Sequence, residues 1–110
     1  MIINQEENTS IITQEKATTI ELVKKLEALY PKFEKHNMVI KLSSIEKTTI
    51  QDVNEFLLIS SKHREANNSF VVVTNAINAN EAPDEIIVVP TLKEAFDIIE
   101  MEDIERDLGF

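Results

Sequence analysis

The chain has 110 residues and a formal net charge of −9, from 20 acidic and 11 basic residues. That length corresponds to one domain, able to bury roughly 60–70% of its unfolded surface without a metal or disulfide staple. It contains no cysteine, which excludes a disulfide framework, a thiol nucleophile and cysteine-ligated zinc.

At the N-terminus, MIINQEENTS carries acids and no basic leader, so a secretory signal is not expected. Met1, Ile2 and Ile3, then Ile11 and Ile12, are apolar runs around QEENTS, which suggests a hairpin or a broken edge strand. From Thr18 the period changes. Ile20, Val23, Leu26, Leu29 or Tyr30, and Phe33 recur at helical spacing, and Pro31 ends or kinks that helix.

NMVIKL, 37–42, reads as a strand, and Ile50, Val53, Phe56 and Leu57 open a second helix running to about Ala66. NNS, 67–69, is a turn. FVVV, 70–73, is unbroken in its apolar character, as in a parallel strand covered on both faces. Residues 74–85 read as a loop, IIVV, 86–89, as another buried strand, and Leu92, Ala95, Phe96 and Ile99 as a third helix. Met101, Ile104 and Leu108 form a stripe of different phase, so a break is expected near Glu100, or a separate short helix ending at Gly109. The expected fold is α/β, a mixed sheet of about four strands with three helices packed on it. Residues 1–100 would form the domain and 101–110 an acidic amphipathic tail.

Charge is unevenly placed. Residues 1–80 hold 10 acids and 9 bases, a net of −1, and residues 81–110 hold 10 acids and 2 bases, a net of −8. Such a surface repels phosphate backbones and attracts a basic protein, so a protein partner is expected and nucleic acid is not. No apolar run approaches the ~20 residues of a membrane span. A cytoplasmic setting is therefore expected.

Three helix starts share one device. Thr18 precedes Glu21, Thr48 precedes Gln51 and Thr91 precedes Glu94, each at capping-box spacing. Thr49 and Asp52 form a fourth such pair, open to a similar role. A helix N-terminus can also hold an anion, or a phosphoryl group placed on a hydroxyl there. His36 and His63 lack metal-ligand spacing, and His63, between Lys62 and Arg64, reads as a solvated helix residue. The sole glycine is Gly109, which excludes a P-loop and a dinucleotide fingerprint. An enzyme and a cofactor are not expected.

Three stretches together resemble the STAS domain, the module of sulphate transporters and anti-sigma factor antagonists. ITQEKATTIEL, 12–22, is similar to its hydrophobic-Thr-Gly-Glu lead into the first helix, with Gln14 in the glycine's place. VIKLSSIEKTTIQDVNEFL, 39–57, resembles its strand ending in Asp-Leu-Ser and the Asp-Ser-Ser-Gly turn into the second helix. EIIVVPTLKEAFDII, 85–99, looks like its closing strand and helix start. The resemblance implies a regulator that works by binding protein. It also places Gln51 where the family's phospho-acceptor serine would stand, Asp52 on the glycine and Lys41 on the strand-end aspartate.

The expected role is thus a non-enzymatic regulatory or adaptor domain without the usual acceptor. Its binding residues would be Thr48, Thr49, Gln51 and Asp52, with Ile104, Leu108 and Phe110 of the tail docking a partner that has a basic surface, or folding back on the core. A nucleotide or small-anion module at the second helix start is the alternative. Association with an RNA-processing enzyme such as ribonuclease Z is another, the chain lacking that hydrolase's HxHxDH cluster.

Overall fold

The computed structural model of the chain describes residues 1–14, 18–42 and 48–109. Five strands form one sheet in chain order: β1 (Ile2–Glu6), β2 (Thr9–Thr13), β3 (Asn37–Lys41), β4 (Phe70–Val73) and β5 (Ile87–Val89). The expected count of about four is corrected to five, because the N-terminal run pairs as a full strand. β1 lies antiparallel to β2 with Glu6 opposite Thr9, and Glu7 in the turn takes a left-handed φ of 53°. The other pairings are parallel.

Helices α1 (Thr19–Ala28), α2 (Ile50–Asn54) and α3 (Leu57–Glu65) occupy one face of this sheet, and α4 (Leu92–Asp107) occupies the other. Strand alternation produces the two cores. On the first face Ile12, Ile40, Phe70 and Val72 meet Leu22 and Leu26 of α1, and Phe56 and Ile59 from the α2–α3 segment. On the second face Ile11, Val39, Val71 and Val89 meet Ala95 and Ile99 of α4. β4 is buried throughout, as an apolar parallel strand between two helical layers should be.

Two helical expectations change. The second helix is split at Glu55–Phe56 into α2 and α3, with the Glu55 amide within reach of the Gln51 and Asp52 carbonyls. The break expected near Glu100 is absent, and α4 runs unbroken to Asp107, so residue 100 falls inside a helix. Its body-facing stripe, Leu92, Ala95, Phe96 and Ile99, continues in phase as Glu102, Asp103 and Arg106. The stripe changes from apolar to polar while the helix goes on. Segment 74–85 is largely irregular, with one short 3-10 turn at Ala79–Glu81.

Candidate functional site

The start of α2 lies beyond the C-terminal end of β3. Thr49, in extended conformation, is the cap: its Oγ1 accepts from the Asp52 amide at 3.2 Å, and its own amide donates to Asp52 Oδ2 at 2.9 Å. The capping box is therefore Thr49–Asp52, and the Thr48–Gln51 pairing expected from spacing is corrected. Thr48 instead turns inward. It is 6% exposed, and among the described residues its hydroxyl has no hydrogen-bond partner. Gln51 is on the surface and Asp52 half-buried. Thr18 and Thr91 cap α1 and α4 by the same hydroxyl-to-amide bond. Segment 43–47, which precedes this turn, lies outside the described residues.

The α2–α3 segment carries two exposed apolar side chains. Leu58 is 83% exposed, and Ile50 37%. Beside Leu58 runs a cleft of about 240 Å³ lined by Glu27, Tyr30, Leu58, Ile59 and Lys62. The Lys62 ammonium lies 4.4 Å from the Tyr30 ring centre, a cation–π contact. Tyr30 is anchored from behind. Its hydroxyl donates to Nδ1 of His63 at 2.7 Å, and Nε2–H of His63 donates to the His36 carbonyl. The carbonyl can only accept, so Nε2 carries a proton, and burial favours the neutral ring, whose Nδ1 then accepts from Tyr30.

His63 is fully buried, so its reading as a solvated residue is corrected. Sequence neighbours Lys62 and Arg64 concealed this. The signal was helical phase, since Ile59, Ser60 and His63 share one buried face. Burial, the Arg64 charge and His36 pull its pKa below 6.5, against the bond to the His36 carbonyl, which raises it. Burial, and then Glu34, raises that of Tyr30, which keeps the phenol a donor.

At the opposite end of the sheet, the last turns of α4 are held by polar side chains. Arg64 of α3 bridges Glu102 at 3.0 Å and donates to the Phe70 carbonyl. Ser69 donates through Oγ to Glu102, and its amide to Asn37 Oδ1 at 2.8 Å. Arg106 reaches Ser69 Oγ at 3.1 Å and pairs with Asp103, which lies within 3.5 Å of Asn37 Nδ2. Asn37 and Ser69 are both buried. With these groups facing inward, the apolar stripe of the same helix turns away from the body. Met101, Ile104 and Leu108 are 55, 53 and 66% exposed. Phe110 lies outside the described residues.

The residues singled out from sequence thus form two places rather than one. Thr48, Thr49, Gln51 and Asp52 sit at the C-terminal ends of the strands, near the three-helix face. Ile104 and Leu108 belong to α4, on the other face, whose last turns meet the N-terminal ends of β3 and β4. Leu58 and the clamp residues Asn37, Ser69 and Arg64 were not foreseen. No helix among the described residues is long and apolar enough to cross a membrane.

Neither a protein-family model nor a curated protein matches the sequence. The fold, however, matches solved structures. The protein TM1081, solved by NMR, aligns with a TM-score of 0.64 at 14% identity, over 89% of this chain and 86% of that one. A serine-to-glutamate variant of Moorella thermoacetica RsbS aligns with a TM-score of 0.61 at 14% identity, over 89% and 95%. RsbS is a STAS-domain anti-sigma factor antagonist, and the chain described here has a STAS-like fold.

Proposed function

We propose that the chain is a non-enzymatic regulatory domain of the anti-sigma factor antagonist type, acting in the cytoplasm by binding a protein through the α2–α3 surface. The observation that carries this reading is Leu58. It stands 83% exposed at a cleft also lined by Tyr30 and Ile59, so an apolar side chain and an apolar recess lie side by side, an arrangement that a partner side chain can cover. The likeness to RsbS supports the class of function. Lys62 and Glu27 give the cleft a polar rim around an apolar centre of Leu58, Ile59 and the Tyr30 ring, the usual anatomy of an interface.

Binding here would be constitutive. Gln51, at the acceptor's place in the STAS pattern, cannot carry phosphate. Thr49 Oγ1 is engaged with Asp52 both as donor and as acceptor, and Thr48 is buried. The same box weakens the anion-binding alternative, because the Thr49 and Asp52 amides already have partners and a carboxylate sits beside them.

The test is affinity capture with wild-type protein and Leu58→Glu from the cell that encodes the chain. The expected result is a stoichiometric partner that the wild type retains and the variant loses, at equal melting temperature. Identical capture by both proteins would contradict the assignment.

A further inference from the structure

The two faces of the sheet are unequally covered. Five strands about 4.8 Å apart span roughly 20 Å, whereas one helix with its side chains is about 10–12 Å wide. α4 alone covers its face, and it packs toward β3, β4 and β5. What it leaves open is a groove of about 620 Å³ between its last three turns and the β1–β2 turn.

The groove has an apolar floor. Phe96, Ile99 and Ile104 line it, and Ile104 is half exposed even though the polar clamp fixes its helix. Its walls are acidic. Glu6 and Glu7 stand on the hairpin side, and Glu100 and Asp107 on the helix side. Asp103 also lines it, but is paired with Arg106. No lysine or arginine is among the lining residues. The hairpin wall is held by the β1–β2 pairing, which closes with Glu6 opposite Thr9, and it turns at Glu7 with φ 53°.

We propose that this groove binds a basic amphipathic helix of a partner protein. The proposal rests on the reading of the chain as a protein-binding domain but uses a separate surface, on the face of the sheet opposite α3. Apolar anchors would cover Phe96 and Ile104, and lysines or arginines would meet Glu6, Glu7, Glu100 and Asp107, which have no ion pair among the described residues. Other occupants fit less well. Among the described residues no group of acids is close enough to hold a metal ion. A small polycation would leave the floor uncovered. A second copy would bring a net charge of −9 to an acidic groove.

The test titrates the isotope-labelled full chain with a helix-forming peptide of about 14 residues, leucines on one face and lysines elsewhere. A scramble of the same composition and spermine serve as comparisons. The expected amide shifts fall on Glu6–Thr9 and Phe96–Asp107. Affinity should drop about tenfold for Ile104→Ser, for Glu100→Lys and for the scramble. Both substituted residues are exposed, so folding is retained. Shifts centred on Thr49–Lys62, equal binding by scramble or spermine, or a dimer that buries the groove would overturn the proposal. If the groove fails while Leu58→Glu still abolishes partner capture, only this inference falls.

Discussion

Adjacent threonines divide two tasks at the start of α2. Thr49 satisfies two helix-end groups with Asp52, whereas the neighbouring Thr48 is buried with no partner for its hydroxyl among the described residues. The two should respond oppositely to substitution. Thr49→Ala should lose about 1 kcal/mol of stability, read from urea unfolding. Thr48→Val, which removes a buried unsatisfied hydroxyl at similar volume, should cost nothing or stabilise slightly. Asn37→Ala is expected to cost about 2 kcal/mol, because it strands the buried Ser69 amide and loosens Arg106. From spacing alone Thr48–Gln51 and Thr49–Asp52 are equivalent. What separates them is that Thr48 is buried and Thr49 exposed, and burial is a tertiary property.

Elements were legible where pattern and burial coincide. FVVV and most of the first helical stripe, Val23, Leu26, Tyr30 and Phe33, read directly, because an apolar run or a helical period has one efficient way to be buried; Ile20, placed on that stripe, is 53% exposed, and Leu22, left off it, is buried. α4 is the instructive exception. A phase change in apolar residues looks like a break, yet the helix continues because Glu102, Asp103 and Arg106 take over the inward positions and find partners on α3, on β3 and at Ser69 just before β4. Polar inward positions do not register in a hydrophobic period. The clamp also changes what a truncation means. Removing residues 101–110 destroys the clamp, so it lowers stability whether or not the outer stripe binds anything. Ile104→Ser with Leu108→Ser is the cleaner probe. It should leave stability within about 0.5 kcal/mol of wild type, because both side chains are exposed.

His63 links elements in another way, joining α3 to Tyr30 and to the turn at His36. Its folded pKa lies below the ordinary 6.5, so the unfolded chain binds the proton more readily. Its contribution is complete above about pH 6.5 and is lost as pH falls from there toward the folded value. An imidazole titration by NMR should place His63 below 6.5, and a value above it would contradict the buried neutral assignment.

At the scale of the whole molecule, the architecture separates a well-covered face from a half-covered one. Three helices close the first, and the Leu58 cleft lies on the surface of that layer. One helix closes the second and leaves an acidic groove. The acid-rich stretch 81–110 supplies the helix-side carboxylates of that groove, Glu100, Asp103 and Asp107, and this much was readable from composition, whereas Glu6 and Glu7 come from the N-terminal hairpin. The groove's position beside the β1–β2 turn was not readable, because it depends on pairing between strands at one end of the chain and a helix at the other. The two surfaces would let one small domain contact two partners from opposite sides.

The central claim is that the α2–α3 surface binds a protein. The most direct measurement places a photoreactive residue at Leu58 and, as a control, at exposed Asn80, in the cell that encodes the chain. A protein-binding α2–α3 surface gives a discrete cross-linked protein of defined mass at position 58 and none at position 80. No cross-link at position 58, or the same products at both positions, would contradict it.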